Sequence, residues 1–332
     1  MKKTNEPTAF HWTRRQFILR GAKTGLAAAV AGFLAYRFHD TIGPAGSLES
    51  PAGVRLADFS IADASPRMSI VKGSDRTATL RRALQAVGGM ERYVKKGDRV
   101  VVKVNAAFAT PPTLSATTHP DLVAEVVRQC LQVGAAGVIV TDNPINDPAS
   151  CFTLSGIMAA ARTSGAEVVL PQAHLFRPTT VSGGRLIRDW PILFDPFKKA
   201  DKLIGIAPVK DHHRSGASMI MKNWYGLLGG RRNIFHQDIH TIIKELALLV
   251  KPTLVILDGT TPMITNGPTG GSLSDLKQGD TMIVGTDQVA ADACGAALLG
   301  KPLDALPHIA QAAEAGIGTD DYHSLNPVTI SI

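Results

Sequence analysis

The fold of this chain is decided by two stretches, Arg99-Val100-Val101-Val102-Lys103-Val104 and Gly137-Val138-Ile139-Val140-Thr141. Their central residues are β-branched and do not alternate with polar side chains, which is typical of strands buried on both faces. Longer amphipathic stretches separate such runs, and strands that alternate with helices indicate a parallel sheet covered on both faces. The sequence therefore predicts an α/β fold, with a mainly parallel sheet and helices on both of its faces.

The same pattern, followed outward along the chain, predicts the remaining elements. Strands are expected over 99–104, 137–141, 167–170, 202–207, 253–257 and 281–284, and helices over 77–87, 120–133, 153–163, 239–249, 288–299 and 306–315. Residues 171–200 contain four prolines and Gly183-Gly184, which favours a β-hairpin. Residues 208–236 hold much of the polar chemistry, and Gly229-Gly230 favours a turn there. We expect one α/β domain over 54–332, with an inserted β/loop lobe over about 171–236.

Charge is unevenly distributed along the 332 residues, whose formal net charge is +7. Residues 1–45 hold seven basic and two acidic residues and so carry +5, which leaves +2 for the rest of the chain. A nearly neutral body with 5% aromatic residues lacks the basic face and stacking platforms that nucleic-acid binding needs. We therefore expect no nucleic-acid partner.

The N-terminus has the order of residues found in an export signal. A basic start precedes Arg14-Arg15-Gln16-Phe17-Ile18-Leu19, and a weakly apolar run follows over 24–36. Adjacent arginines ahead of Phe and Leu are typical of a twin-arginine signal, and the apolar run is shorter than the ~20 residues of a spanning helix. We expect a signal over 1–45, a linker over 46–53, the twin-arginine export machinery as partner and a periplasmic or other extracytoplasmic location. An uncleaved signal that anchors the protein in the membrane is the alternative.

Three cysteines, Cys130, Cys151 and Cys294, are widely separated in the sequence. The chain has no C-x-x-C motif, and three thiolates do not supply a four-cysteine cluster. We therefore expect no iron–sulfur cluster.

Polar residues stand at or just beyond the ends of several predicted strands. Lys103 and Asn105 close one strand, Asp142 follows another, Lys210 and His212 follow a third, and Asp258 follows a fourth. Ligands of open α/β sheets bind outside the carboxyl ends of the strands, so these residues predict a site there. For any single aspartate, a helix cap or a turn is the competing interpretation.

A basic and polar segment follows the predicted strand over 202–207. Lys210-Asp211-His212-His213-Arg214 and Met221-Lys222-Asn223 supply two lysines, two histidines, an arginine and an amide. Lysine and arginine can hold a carboxylate or a phosphate while a histidine exchanges protons. The alternative is a basic loop that is merely solvated.

A metal site is a further hypothesis. His236 and His240 would share a face of a helix at the spacing of metal ligands, and Asp142, Asp211 or Asp258 would complete the site, so a divalent metal is one candidate cofactor. Asp287 is interpreted first as a helix cap, whereas Asp292 stands among alanines that are expected to be buried. The glycine-rich Asn266-Gly267-Pro268-Thr269-Gly270-Gly271 does not match a phosphate-binding loop.

Motifs along the whole body of the chain resemble a known family. They are Lys103-Val104-Asn105, Thr117-Thr118-His119-Pro120, Val140-Thr141-Asp142, Lys210-Asp211-His212, Met221-Lys222-Asn223, Arg231 with Phe235-His236, Leu257-Asp258-Gly259, Gly267-Pro268, and Gly285-Thr286-Asp287 with Asp292. In this order, over about 54–332, they resemble domain-of-unknown-function family 362. Many relatives carry ferredoxin-like cysteine clusters, which this chain lacks.

The resemblance implies a shared site without assigning roles. Its members would be Lys103, Asn105, His119, Asp142, Lys210, His212, Lys222, Asn223, His236, Asp258, Asp287 and Asp292.

Two functional hypotheses follow. The first is an exported enzyme that acts on a small anionic substrate, with catalytic candidates Lys103, His119, Lys210, His212 and Lys222. Ligand contacts would come from Asn105, Asp142, Asn223, Arg231, Asp258, Gly267, Asp287 and Asp292. The second is a non-catalytic periplasmic protein that holds a ligand, a metal or a cofactor during maturation of a partner.

Overall fold

Nine strands form the central sheet of the chain in its computed structural model, which describes residues 13–37, 53–61 and 67–332. Together with a separate two-stranded pair, the strands are β1 (Met68–Lys72), β2 (Arg99–Lys103), β3 (Gly137–Thr141), β4 (Glu167–Val169), β5 (Phe176–Thr179), β6 (Trp190–Leu193), β7 (Lys202–His212), β8 (Gly216–Ser218), β9 (Leu254–Met263), β10 (Thr281–Gly285) and β11 (Val328–Ser331). Their order in the sheet is β11-β1-β10-β9-β7-β2-β3-β4, and β8 pairs with β7. Five neighbouring pairs are parallel, so the sheet is mainly parallel, as predicted.

Helices cover both faces of this sheet. Over the described residues they are α1 (Arg14–Arg37), α2 (Arg76–Ala86), α3 (Met90–Tyr93), α4 (Pro120–Gln132), α5 (Pro148–Leu154), α6 (Ile157–Thr163), α7 (Ile220–Asn223), α8 (Ile239–Leu249), α9 (Gln288–Leu298) and α10 (Pro307–Glu314). Alternate residues of β2 face opposite cores: Val100 and Val102 pack with α2, α4 and α6, and Val101 packs in the core of α8, α9 and α10. The unbroken valine run is therefore explained by burial on both faces.

The N-terminal helix α1 belongs to a unit of its own, because the chain divides into residues 1–49 and residues 50–332. Its stretch Arg14–Leu34 is long and apolar enough to cross a membrane, and a signal sequence near the N-terminus has the same properties. The sequence argument that the apolar run is too short to span a membrane is therefore wrong, since the helix begins ten residues before that run. The predicted linker over 46–53, except Gly53, and residues 1–12 and 38–45 of the predicted signal lie outside the described residues.

Strand β10 is antiparallel to both of its neighbours, β1 and β9. Thr281 pairs with Gly259 and Gly285 pairs with Val255, so β10 ends at the edge where β9 begins. All five residues of β10 are buried, and such a run has the same pattern in either direction. The residues that follow β10 therefore lie at the opposite edge from those that follow β2, β3 and β9.

Several predicted elements differ from the observed ones, and the strand expected over 253–257 is one of them, since β9 continues to Met263. The helix expected over 153–163 is two short helices, α5 and α6, which Gly156 separates with a φ of 76°. The strand expected over 202–207 continues to His212, past a register shift at Pro208. Strands β1 and β11 were not predicted, and β11 is mostly exposed at the sheet edge and so lacks a hydrophobic pattern. The expected hairpin is present as the antiparallel pair β5–β6.

Candidate functional site

A cavity of about 630 Å³ lies where β2, β3 and β7 end. Its polar lining comes from those strand ends, from β8, from α7 and the segment that follows it, and from the loop after β9. The polar and charged lining residues are Asn105, Asp142, Asn143, Lys210, His212, His213, Arg214, Ser218, Lys222, Asn223, Tyr225, Arg232, Asn233, His236 and Thr269. Six sequence candidates, Asn105, Asp142, Lys210, His212, Lys222 and Asn223, are therefore brought together, and His236 joins them.

Lys103 supports the base of this cavity with a buried ion pair. Its Nζ atom lies 2.7 Å from Oδ1 of Asp142 and donates to the Asn223 backbone oxygen at 2.7 Å and side-chain Oδ1 at 2.9 Å. Asp142 accepts a further bond from the Ala106 amide at 2.7 Å. Burial lowers the pKa of Lys103, and the charge of Asp142 opposes that effect. These bonds join β2, β3 and α7 at one point.

Gly226 makes that junction possible because it passes directly beside the ion pair. A Cβ atom at this position would lie 1.9 Å from Oδ1 of Asp142 and 2.8 Å from Nζ of Lys103. The Gly226 carbonyl also accepts a bond from the Asn143 amide at 3.0 Å. A side chain here would force either the Asp142 carboxylate or the backbone to move.

Lys210 is a buried cation without a carboxylate partner among the described residues. Its Nζ donates to the Ala116 carbonyl at 2.5 Å and lies 5.3 Å from the centre of the Phe108 ring. Burial lowers the pKa of Lys210 to about 7, and the positive charge of Lys222 acts in the same direction. An anion in the cavity would favour the charged form of this lysine.

Lys222 is half-buried and is a second cation without a carboxylate partner among the described residues. Its Nζ lies 5.3 Å from the centre of the Tyr225 ring, and no hydrogen bond or ion pair holds it within the described part of the chain. Burial lowers the pKa of Lys222 to about 8, and Arg232 adds to the effect. The amino group is therefore available to a ligand.

Arg232 lines the cavity, whereas its neighbour Arg231, the residue chosen from the sequence, is exposed and does not line it. The Arg232 guanidinium donates to three backbone carbonyls, those of Pro144 at 2.6 Å, Tyr225 at 3.2 Å and Leu228 at 3.3 Å. These bonds fix its position without neutralising its charge. The Arg231-Arg232 pair was visible in the sequence, but which of two adjacent residues faces inward depends on the 3₁₀ turn that begins at Arg232.

Histidines form one wall of the cavity. The His212 ring stacks on His213, with 4.9 Å between ring centroids, and lies 6.2 Å from the ring of His236. Burial, followed by the charge of Lys222, lowers the pKa of His212 to about 2. The same two causes hold the pKa of His236 below its usual value.

Asn105 contributes a buried polar atom without a partner. It is 7% exposed and lines the cavity, and its Oδ1 has no hydrogen bond within the described residues. A buried amide oxygen without a partner is costly, and a ligand that donates a hydrogen bond would satisfy it.

His119 and Asp258 do not join this cavity. His119 lines a second cavity of about 610 Å³, together with Arg76, and caps α4 by accepting from the Asp121 amide. Asp258 accepts from Nε of Arg76 at 2.8 Å and from the Thr260 amide at 2.9 Å. The place of Asp258 agrees with the order of the sheet, in which β7 stands between β9 and β2.

Asp287 and Asp292 hold helices instead of lining the cavity. Asp287 caps α9 by accepting from the amides of Val289 and Ala290, at the edge where β10 ends. Asp292 accepts from the amides of Ile220 at 2.7 Å and Met221 at 3.0 Å, which begin α7. Burial raises the pKa of Asp292 to about 7. Asp292 thus positions the helix that carries Lys222.

The two histidines of the metal hypothesis contact different partners. His236 faces Tyr225 and the cavity, whereas Nδ1 of His240 lies 3.0 Å from Nδ1 of His308. Within the described residues, no group of three or more His, Cys, Asp or Glu side chains is arranged to hold a metal ion.

Gly267 stands at the rim, where its amide donates to Asp211 at 3.2 Å and the next two residues line the cavity.

Comparisons with known proteins identify relatives of this chain. A thylakoid-associated protein of Synechocystis sp. is 28% identical over 207 residues, which cover 58% of this chain and 61% of that protein. The chain therefore spans less than two thirds of that relative. A crystal structure of a Thermotoga maritima protein, a structural genomics target, is similar over 74% of this chain and 60% of its own, with 12% identity and a TM-score of 0.35.

A family model, described as a domain of unknown function (DUF362), matches residues 100–297. The matched residues include Lys103, Asp142, Lys210, Lys222 and His236. The chain belongs to this family, DUF362.

Proposed function

We propose that this protein is an enzyme that acts on a small organic anion, a carboxylate or a phosphate ester, bound in the cavity at the ends of β2, β3 and β7. One observation carries the proposal: Lys210, Lys222 and Arg232 surround the cavity, and none of them has a carboxylate partner in the described residues.

The charge balance of the cavity supports an anionic ligand. Among the described residues, Asp142 is the single carboxylate of the lining, and its charge is engaged by Lys103 at 2.7 Å. Burying a cation without a counter-charge is costly, and the lowered pKa values of Lys210 and Lys222 express that cost. A bound anion would offset it.

Apolar lining residues limit the rest of the ligand. Ala107, Phe108, Ile145 and Pro268 line the cavity beside the cations. A volume of about 630 Å³ with a few converging polar groups is typical of small-molecule sites. We therefore expect an anionic head group that is joined to a small apolar body.

Export through the twin-arginine route belongs to the same proposal. Arg14 and Arg15 begin the apolar helix α1, which has the properties of a signal sequence or an anchor. The enzyme would act in the periplasm or another extracytoplasmic space.

Titration calorimetry with inorganic sulfate tests the binding step. Sulfate is a compact dianion, and we expect it to bind the wild-type protein and to bind Lys222→Met at least about tenfold more weakly, since a charged hydrogen bond contributes about 1.5–3 kcal/mol. Lys198→Met removes an exposed lysine outside the cavity lining and serves as the matched control. Absence of sulfate binding, or equal affinity in Lys222→Met and the wild type, contradicts the proposal.

A non-catalytic binding protein would also pass that test. An enzyme differs from a binding protein in that its cavity needs a group able to move a proton. The histidines of the cavity wall are the candidates for that group.

A further inference from the structure

The ring of His212 is locked in one tautomer by the backbone. Its Nδ1 atom accepts from the amides of Arg214 at 3.1 Å and Ser215 at 3.2 Å. An atom that accepts two N–H groups carries no hydrogen, so the ring proton is on Nε2. A second proton on Nδ1 would oppose both amides, and the ring therefore stays neutral.

The ring of His236 is held in the opposite tautomer. Its Nδ1 lies 3.3 Å from the Asn233 carbonyl oxygen and 3.1 Å from the Tyr225 hydroxyl oxygen. A carbonyl oxygen only accepts, and the Tyr225 hydroxyl donates its hydrogen to the Arg232 carbonyl. Nδ1 of His236 therefore carries the hydrogen, and its Nε2 keeps a lone pair.

We propose that His236 is the proton acceptor of the cavity, through Nε2, and that His212 is a fixed hydrogen-bond donor beside it. Both rings line the cavity, their centroids lie 6.2 Å apart, and their planes differ by 17°. The proposal rests on the proposed function for the presence of an anion in the same cavity.

The proton transfer that this arrangement supports is balanced within the site. Nε2 of His236 takes a proton from an acidic C–H or O–H bond of the bound anion, and the electron pair of that bond stays on the substrate. The new negative charge faces Lys210, Lys222 and the Nε2–H group of His212, while the Asn233 carbonyl stabilises the imidazolium. Return of the proton to the substrate or product restores the ring, and no oxidant or reductant is required.

The charges around His236 make its basicity depend on the ligand. Burial is the largest cause of its lowered pKa, and the charges of Lys222 on α7 and of Arg214 and His213 after β7 act in the same direction, whereas the Asn233 carbonyl raises it. His212 and Tyr225 complete the surroundings of the ring. An anion that offsets the charge of Lys222 should raise the pKa of His236, so that the base strengthens when the cavity is filled.

Sulfate calorimetry at pH 6 in two buffers of different ionisation enthalpy tests this coupling. Sulfate does not titrate near this pH, and Lys210 and Lys222, with pKa values of about 7 and 8, are already mostly protonated. We expect the wild type and His174→Gln, which changes an exposed histidine outside the cavity lining, to take up a proton on binding. We expect His236→Gln to bind sulfate with at least a threefold smaller uptake. Binding with the same uptake in His236→Gln, or without any uptake in the wild type, overturns the inference and leaves the proposed function intact. Absence of sulfate binding is the separate failure of the proposed function.

Nitrogen NMR of the protein labelled with ¹⁵N-histidine measures the tautomers directly. His212→Gln and His236→Gln assign the two ring signals. We expect an Nε2–H ring for His212 that does not titrate between pH 8 and 5, and an Nδ1–H ring for His236. An Nε2–H ring for His236, or titration of His212 above pH 5, would refute the assignment.

Discussion

Nζ of Lys103 and Oδ1 of Asp142 lie 2.7 Å apart, and both side chains are buried where β2 and β3 end. The pair also bonds to Asn223 of α7, which precedes the segment that lines the cavity. Lys103, a catalytic candidate from the sequence, is thus fully buried beneath the lining and organises the cavity from below.

Asp142→Asn should lower the free energy of unfolding by about 3 kcal/mol, because removing one partner of a buried pair leaves the other charge uncompensated. Urea denaturation measures the change. The double variant Lys103→Met/Asp142→Asn should be less destabilised than Asp142→Asn, and exposed Asp304→Asn should remain within about 0.5 kcal/mol of the wild type. A double variant no more stable than Asp142→Asn would contradict this account of the ion pair.

Gly226→Ala should damage the same junction from the other side. The new methyl would fall 1.9 Å from Oδ1 of Asp142, so either the carboxylate or the backbone must move. We expect a loss of about 1–3 kcal/mol of unfolding free energy and weaker sulfate binding. Gly137→Ala is the control, since nothing lies within 4 Å of its added Cβ. Equal stability of Gly226→Ala and Gly137→Ala would contradict the close approach.

The fold was predictable where burial determines residue type. The runs Val100–Val102 and Val138–Val140 face two cores at once, and only apolar side chains suit that position. The direction of β10 was not predictable from its own residues, because the pattern of a buried run is the same whichever way the strand runs. That single reversal moves Asp287 to the far edge and explains its place as a helix cap.

The site was predictable in part because β2, β3 and β7 are parallel, so that their carboxyl ends lie at one edge of the sheet. Asp258 also follows the start of a parallel strand, yet β9 lies beyond β7 and the carboxylate pairs with Arg76. The order of the strands depends on tertiary packing, which spacing in the sequence does not encode. The same holds for which of Arg231 and Arg232 faces the cavity. Tyr225 was not among the sequence candidates. Its hydroxyl bonds to His236 and to the Arg232 carbonyl, and those contacts exist only in the folded chain.

Lys210→Met should change how stability depends on pH. The folded-state pKa of Lys210, about 7, lies below the ordinary 10.5, so between these values the unfolded chain binds the extra proton and the free energy of unfolding rises with pH. The free energy of unfolding of Lys210→Met should therefore rise less between pH 7 and 10 than that of the wild type. Urea denaturation across this range measures the difference, and parallel curves for the two proteins would show that Lys210 is charged throughout.

Replacement of both Arg14 and Arg15 by lysine should block export, because the twin-arginine route depends on the adjacent arginines rather than on charge alone. The variant keeps the net charge of the N-terminus and the apolar stretch of α1, so general membrane affinity is unchanged. In a bacterium with this export system, cell fractionation should find the double variant in the cytoplasm and the wild type outside it. Arg37→Lys, at the other end of α1, is the matched control and should be exported. Export of the double variant at the wild-type level would show that Arg14 and Arg15 are not the signal and would leave α1 as an anchor or as the target of another route.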